Sequence, residues 1–253
     1  MKEIKTYIIN LKSSVDRKKR ITENLKGLSF LDYSFIEAVD GRSMTHDEID
    51  HSFDISSFYK IYKREPLRGE IGCTLSHRKC YKNLVEQKDL DYCLILEDDA
   101  FFYNDFEDKI FDIVEELKNC DYPKIILLSP SFSFFCKKNK SSYTLCDIFQ
   151  GCMTIGYLIN RKAAELLLSK DLFPYYLADD WRLIKRKGII LQGVVPYLVC
   201  WNDSQNKSTI KDSSSQIKSR VSFLKKLKVL TDFVFVVDRF LGLIGHKYDY
   251  TKY

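Results

Sequence analysis

Short apolar runs alternate with amphipathic stretches along most of the chain. Strands are predicted where the runs are β-branched or uniformly apolar, at residues 4–9, 33–36, 92–96, 124–128 and 156–159, with a last one at 194–199 to close the sheet. Helices are predicted where apolar residues recur every three or four positions, at 15–25, 69–87, 105–117, 161–170 and 179–187. Strands that alternate with helices build a parallel sheet, so the pattern predicts an α/β fold with a mainly parallel central sheet and flanking helices.

Two segments depart from this alternation. Residues 131–150 are polar and aromatic by turns, which predicts a hairpin or an active-site flap. The C-terminal part has apolar residues at helical spacing among Lys and Arg. We therefore expect a main domain at 1–210 and a basic amphipathic helical tail at 211–253. Residues 217–246 are predicted to contact an anionic membrane surface, the alternative being a helix that packs on its own domain or on a second subunit of a homodimer.

Composition narrows the function classes. Hydrophobic residues make up 45% of the chain and charged residues 30%, enough for a well-filled core. The net charge is +5, but residues 207–253 hold ten Lys and Arg against four Asp and Glu, so the remaining chain is close to neutral. A near-neutral main domain argues against a nucleic-acid partner.

The cysteines and the N-terminus bear on location. The eight cysteines include no C-x-x-C pair, which favours buried, reduced thiols in a cytosolic protein. The N-terminal apolar stretch is too short for a signal peptide, and no uncharged apolar run approaches the length of a membrane span. We therefore expect a cytoplasmic protein, peripheral on the inner face of a bacterial cytoplasmic membrane.

Three consecutive carboxylates, Glu97, Asp98 and Asp99, directly follow the apolar run 92–96. Their charges repel one another unless a cation is present, and ligands of open α/β sheets bind at this edge. Oxygen ligands of this kind suit Mg²⁺ or Mn²⁺ bound with a diphosphate, although an acidic loop that caps the next helix is the alternative. The glycine-rich P-loop and dinucleotide fingerprints are both absent from the sequence.

The order of several short motifs resembles glycosyltransferase family 25, which includes bacterial lipooligosaccharide galactosyltransferases. The similarity spans roughly residues 4–210. The matching segments, in order, are Tyr7-Ile8-Ile9-Asn10-Leu11, Asp16-Arg17, Glu37-Ala38-Val39-Asp40-Gly41, the Gly69-to-His77 stretch, Ile95-Leu96-Glu97-Asp98-Asp99, the Gly151-to-Ala164 stretch and Asp180-Trp181.

This resemblance implies a GT-A type nucleotide-sugar fold and an inverting transfer of a hexose. The hexose is typically galactose from UDP-galactose, and the acceptor a lipooligosaccharide or related cell-surface glycan, lipid-linked or free. It also implies Asp99 as the direct ligand of Mn²⁺ or Mg²⁺, with Asp98 toward the ribose or sugar of the donor. The further donor-binding positions implied are Asn10, Arg17, Asp40, Glu70, Ser76, His77 and Glu97.

An inverting displacement needs a base to deprotonate the acceptor hydroxyl, and Asp180 matches the family's Asp-Trp position. A helix N-cap is the alternative for Asp180, and the favoured interpretation for Asp179. His77 shares a helix face with Cys73 and Cys80, so a buried core histidine competes with a donor-binding one.

Two rival functions remain open on the sequence alone. A Mg²⁺-dependent phosphoryl transferase or nuclease could use the same acidic triplet, and it would bind nucleic acid with a steep salt dependence. A non-catalytic sugar-binding protein could keep the fold without the chemistry. The near-neutral main domain argues against the first rival, and the acidic triplet together with Asp180 argues against the second.

Overall fold

A nine-stranded sheet with helices on both faces forms the centre of the protein. The computed structural model describes residues 3–130, 132–170, 172–201 and 246–247. The tail predicted at 211–253 lies outside these residues, apart from the short strand His246–Lys247. The membrane contact predicted for residues 217–246 lies outside them too, except for its last residue. Among the described helices, none has both the length and the apolar character needed to cross a membrane.

The elements follow one another much as the apolar pattern predicts. The strands are β1 Ile4–Asn10, β2 Leu31–Glu37, β3 Tyr92–Glu97, β4 Ala100–Phe102, β5 Lys124–Leu127, β6 Phe132–Asn139, β7 Thr144–Gly151, β8 Gly156–Asn160, β9 Ile190–Val195, β10 Val199–Trp201 and β11 His246–Lys247. The helices are α1 Val15–Asn24, α2 His46–Asp50, α3 Ile55–Tyr62, α4 Arg68–Glu86, α5 Phe106–Lys118, α6 Arg161–Ser169 and α7 Trp181–Arg186.

The strand order in the sheet is β11-β6-β7-β9-β5-β8-β3-β1-β2. Strands β1, β2, β3, β5, β6 and β9 run in one direction, whereas β7, β8 and β11 run in the other. The predicted fold class, α/β with a mainly parallel central sheet and flanking helices, is confirmed.

The central strands are apolar on both faces because each face is covered by helices. In β3, Leu94 and Leu96 pack into the core on one side of the sheet, which includes α1 and α5 side chains, while Cys93 and Ile95 pack into the core on the other side, beneath α4 and α6. Of the cysteines, Cys80, Cys93 and Cys146 are buried as predicted, whereas Cys73, Cys120 and Cys200 are partly exposed and Cys152 is exposed.

The prediction for residues 194–199 is wrong. Val194 belongs to β9, which begins at Ile190 and ends at Val195 because the next residue, Pro196, has no amide hydrogen to give to a ladder. Val199–Trp201 instead pairs with β4 in a separate two-stranded sheet. The segment 131–150 adopts the hairpin alternative, and its second strand, β7, pairs with β9 inside the main sheet rather than covering it as a flap.

Helices α2 and α3 were not predicted, because they are short, with five and eight residues. Their start signals are nevertheless in the sequence. Thr45 and Glu48 form a reciprocal capping box at α2, and the Asp54 side chain accepts a hydrogen bond from the Ser57 amide at α3.

The parallel strands β2, β1 and β3 end at the same edge of the sheet. Asn10 at the end of β1 is level with Glu37 of β2, and Ile9 is level with Glu97 of β3. The register therefore places the acidic segment 97–99 beside the end of β1, as the sequence predicts for a ligand site.

Candidate active site

A pocket opens at the carboxyl ends of β1, β2 and β3. It is lined by Ile9, Leu11, Arg17, Ala38, Val39, Asp40, Gly41, Arg42, Gly69, Cys73, Ser76, His77, Glu97 and Asp98. Six of the ten site residues named from the sequence are in this lining: Arg17, Asp40, Ser76, His77, Glu97 and Asp98. Five of the seven motif segments of the resemblance thus meet in one cavity, whereas the 151–164 stretch and Asp180-Trp181 supply no residue to its lining.

Arg17 links α1 to the acidic segment. Its Nη2 lies 2.5 Å from Asp98 Oδ1 and 2.7 Å from Asp99 Oδ2. Asn10 donates from Nδ2 to the other Asp98 oxygen at 2.6 Å, and to the Ser14 carbonyl at 3.2 Å. Asn10 is buried behind Asp98, so in this structure it orients that carboxylate rather than lining the pocket.

Asp99 is the most unusual carboxylate of the three. Burial and the charges of Glu97 and Asp98 raise its pKa to about 7, although Arg17 opposes the shift. Its Oδ1 is buried without a hydrogen-bond partner, and the Nε of Arg17 is in the same condition. The Arg17 guanidinium therefore pairs with both Asp98 and Asp99, while Arg17 Nε and Asp99 Oδ1 have no hydrogen-bond partner.

Glu97 and His77 form the floor of the pocket. Thr154 donates its hydroxyl to Glu97 Oε1, and His77 Nε2 lies 3.6 Å from the same oxygen. Burial opposes ionisation of Glu97, but His77 and Thr154 together hold its pKa below the usual value. His77 is almost fully buried and also lines the pocket, so it is a core histidine that a bound donor could still reach. Its contact with a donor stays a prediction.

The loop at 38–42 forms one wall of the pocket and is fixed by α4. Ser76 accepts a hydrogen bond from the Val39 amide at 2.8 Å and donates to the Gly72 carbonyl at 2.6 Å. On the loop, Asp40 accepts from Arg42 Nε at 3.0 Å, and this hydrogen bond lowers the pKa of Asp40. Arg42 was not singled out in the sequence, where nothing distinguishes it from other surface arginines.

Glu70 lies outside the pocket lining. Its two oxygens accept hydrogen bonds from Arg64 at 2.7 and 2.8 Å, and one of them also accepts from the Leu67 amide at the start of α4. These contacts fix the N-terminal turn of α4. The contact of Glu70 with a donor stays a prediction.

Asp180 fills the capping role that the sequence left open. Its Oδ1 accepts from the Leu183 amide at 3.0 Å, and its Oδ2 accepts from the Tyr62 hydroxyl at 2.7 Å. Trp181, the next residue, is fully buried, so it is a core residue in this structure and not a surface for stacking a sugar.

Asp179, which the sequence favours less than Asp180 as a base, lies outside the pocket lining but close enough to Glu97 to be affected by its charge. Burial raises its pKa, and the charges of Glu97 and Asp180 add to the effect. Its Oδ2 accepts from the Met153 amide at 3.1 Å. Met153 has a φ of 68°, and its carbonyl accepts from Trp181 Nε1 at 2.8 Å, so this strained residue is held from both sides. The adjacent position of two aspartates gives no sequence signal for which of them caps α7.

Cys73 lies close enough to Glu97 and Asp179 for both charges to act on its thiol. Burial raises the pKa of its thiol well above the usual value, and the charges of Glu97 and Asp179 raise it further. A wider cavity exists elsewhere, lined by residues of 50–57 and 172–175. Of its two carboxylates, Asp50 and Asp54, the second already caps α3, and no Lys, Arg or His is among the described residues that line this cavity, so the charged pocket at the sheet edge is the stronger candidate for chemistry.

Comparison with known proteins gives a family match. A family model described as glycosyltransferase family 25 (LPS biosynthesis protein) matches residues 3–180. Procollagen galactosyltransferase 2 of Mus musculus is 26% identical over 182 residues, which cover 69% of this chain and 29% of the relative. The putative glycosyltransferase R655 of Acanthamoeba polyphaga mimivirus is 21% identical over 251 residues, covering 94% and 76% of the two chains. The chain thus spans less than a third of the length of the procollagen galactosyltransferase.

Solved structures are similar only at a distance. A197 from STIV has a TM-score of 0.44 and 11% identity, covering 76% of this chain and 81% of that chain. A glycosyltransferase involved in glycosylation of the major capsid of PBCV-1 has a TM-score of 0.38 and 9% identity, covering 81% and 94%. Likeness of this degree bears on neither substrate nor mechanism.

Proposed function

Because the chain belongs to glycosyltransferase family 25, we propose that it transfers a hexose from a UDP-sugar to a hydroxyl group of a cell-surface glycan. Galactose is the first donor sugar to test, since several relatives are named galactosyltransferases. The description of the family model favours a lipopolysaccharide-type acceptor.

The observation that supports this proposal best is the pair of unsatisfied buried atoms beside the pocket. Arg17 Nε is a donor that lacks an acceptor, and Asp99 Oδ1 is an acceptor that lacks a positive partner. Buried polar atoms without partners are costly and uncommon in native proteins. A diphosphate with its divalent cation supplies both missing partners at once, the phosphate oxygens to Arg17 and the cation to Asp99.

The residues present fit such a cation. Asp99 offers a hard oxygen ligand, its unpartnered Oδ1, and such ligands suit Mn²⁺ or Mg²⁺, whereas both oxygens of Asp98 are held by Arg17 and Asn10. When bound, the ion would act as a Lewis acid for the charge that develops on the departing UDP. The chain's own contribution is to hold Asp98 through Asn10 and to present Arg17 at the pocket wall toward the phosphates.

We propose Asp179 as the base that takes the proton of the acceptor hydroxyl, in place of Asp180. A useful base has a pKa raised toward the working pH, and Asp179 has a raised pKa. The Asp179 Oδ2 accepts from the Met153 amide, whereas Asp180 uses one oxygen to cap α7 and the other to accept from the Tyr62 hydroxyl. This assignment keeps the inverting displacement expected from the family resemblance.

Asp179→Asn and Asp180→Asn form a matched pair of test variants. Asp179→Asn should lower kcat by roughly 10²-fold or more with little change in donor affinity, because only the proton transfer is lost. Asp180→Asn should keep kcat within a few fold and lower stability by about 1 kcal/mol at most, because Asn also caps helices. Steady-state kinetics and thermal unfolding of both variants decide the matter. A large loss of kcat in Asp180→Asn alone would restore Asp180 as the base.

The transfer itself is tested by incubating the full chain with a panel of nucleotide sugars and glycan acceptors. We expect UDP release with Mn²⁺, dependent on acceptor, and little release in EDTA. NMR of the fresh product should show the anomeric configuration inverted relative to the donor. The proposal would be contradicted if the protein unfolds cooperatively, and is therefore folded, but releases UDP from none of the nucleotide sugars.

A further inference from the structure

From the geometry at the pocket floor we infer a second cation site, formed by Cys73, His77 and Glu97, that takes a thiophilic divalent cation such as Zn²⁺. One potential ligand atom from each residue lies within 4.8 Å of those of the other two. The site differs in chemistry from the hard-oxygen site at Asp99, and the inference does not depend on the proposed sugar transfer.

Two of the three ligands come from one helical face. Cys73 and His77 are four residues apart on α4, so their side chains point the same way from successive turns. Glu97 reaches them from the end of β3, with His77 Nε2 and Glu97 Oε1 already 3.6 Å apart. In a tetrahedral zinc site with bonds of about 2.0 to 2.3 Å, ligand atoms lie roughly 3.3 to 3.8 Å from one another. The observed spacing therefore needs only small side-chain shifts to close on an ion.

The histidine supplies the independent observation. His77 Nε2 is buried and has no hydrogen-bond partner, yet it is the ring nitrogen that faces Glu97. The other ring nitrogen, Nδ1, lies 2.8 Å from the Tyr157 hydroxyl, which lies 2.9 Å from the Tyr81 hydroxyl. A hydrogen on Nδ1 that is donated to Tyr157 leaves the Nε2 lone pair free for a metal. Metal-binding histidines are commonly oriented by a hydrogen bond of this kind on the second nitrogen.

The ligand set also selects the metal. A thiolate and a carboxylate together balance the two charges of a divalent ion, and the imidazole adds none. Thiolate and imidazole ligands favour zinc-type ions over Mn²⁺ and Mg²⁺, which prefer oxygen. Three protein ligands leave a fourth position, as zinc sites that are open to a substrate or water do. Here that position faces the pocket, because all three residues line it.

Cobalt(II) is a suitable probe, because it replaces zinc in such sites and its bond to a thiolate absorbs strongly in the near ultraviolet. The full-length chain with reduced thiols should bind one Co²⁺ with this absorption, and Zn²⁺ but not Mn²⁺ should displace it. Cys73→Ser should abolish the thiolate absorption and weaken Zn²⁺ binding by about 10²-fold or more. Cys152→Ser, which changes an exposed cysteine outside the cluster, is the matched control and should behave as the parent.

Two results would overturn the inference. One is a folded parent protein that shows no thiolate absorption at saturating Co²⁺. The other is a Cys73→Ser protein that keeps both the absorption and the Zn²⁺ affinity. If Cys73→Ser fails to fold, His77→Gln provides the second test, since it keeps the thiol but removes the imidazole, and it should weaken Zn²⁺ binding to a similar degree. Because the readout is metal binding, a failure here is distinguishable from a failure of sugar transfer.

Discussion

Asp99→Asn should lower Mn²⁺-dependent transfer by about 10³-fold or more, while the variant stays as stable as the parent or becomes more stable. The loss of activity follows because a ligand of the catalytic cation contributes several kcal/mol of transition-state stabilisation, and about 1.4 kcal/mol corresponds to tenfold in rate. The gain in stability follows because Asn removes a carboxylate whose ionisation is disfavoured by burial and by Glu97 and Asp98.

The stability effect has a defined pH dependence. The pKa of Asp99 is about 7 in the folded protein, above the ordinary value of an aspartate near 3.9. A carboxyl group whose pKa rises on folding destabilises the protein increasingly as the pH rises from the unfolded pKa to the folded one. Without added metal, the melting temperature of Asp99→Asn should therefore exceed that of the parent most clearly at pH 8, and the difference should shrink at pH 5.

The measurements are turnover with Mn²⁺ and thermal unfolding in EDTA at the two pH values. Asp121→Asn serves as the control, since its carboxylate is almost fully exposed and lies 3.6 Å from Lys162 at the surface. This control should leave both rate and melting temperature near the parent values. An Asp99→Asn enzyme with parental activity would remove Asp99 from the metal site and return the triplet 97–99 to an ordinary acidic turn.

The position of residues 97–99 at an edge of the sheet could be predicted from the sequence, because it depends on local patterns. A uniformly apolar run such as 92–96 has one favourable placement, in the middle of a sheet covered on both faces, and the carboxylates that follow it must then lie at the edge. The family resemblance added residues from α1, α4 and the loop at 38–42 to that edge, and four of them line the pocket: Arg17, Asp40, Ser76 and His77.

Roles that depend on contacts distant in sequence were not predictable. The difference between Asp179 and Asp180 is decided by the Tyr62 hydroxyl, from α3, and by the Met153 amide, from the segment before β8. Neither partner is near the aspartates in sequence. Likewise, no local pattern indicates that Thr154 donates to Glu97. Local patterns therefore predict where these side chains lie more readily than which groups they contact.

Two glycines decide how closely the loop at 38–42 can approach α4. A Cβ on Gly72 would lie 2.4 Å from the Val39 carbonyl oxygen and 2.6 Å from the Gly41 nitrogen, and a Cβ on Gly41 would lie 1.8 Å from the Arg68 carbonyl oxygen. All these neighbours are backbone atoms, which cannot rotate away as a side chain can. The loop and the helix are thus in direct backbone contact at the wall of the pocket.

Gly72→Ala should therefore detach the loop from α4 or shift the helix. Overpacking of this kind costs about 3 kcal/mol, which lowers the melting temperature of a domain of this size by about 6 to 12 °C. Because Asp40 and Arg42 are on the same loop and line the pocket, the KM for the UDP-sugar should also rise, by about tenfold or more. Gly27→Ala is the matched control, because a Cβ there meets nothing within 4 Å, and its stability should stay within about 0.5 kcal/mol of the parent.

Thermal unfolding and donor kinetics of the two alanine variants separate the possible roles of the contact. A lower melting temperature with an unchanged KM in Gly72→Ala would show that the loop supports the fold but not donor binding. A parental melting temperature and a parental KM together would show that the loop can move aside at no cost, and the wall it forms would then be irrelevant to the pocket. We expect both quantities to change, because the hydrogen bond from the Val39 amide to Ser76 requires the same close approach that the added methyl group prevents.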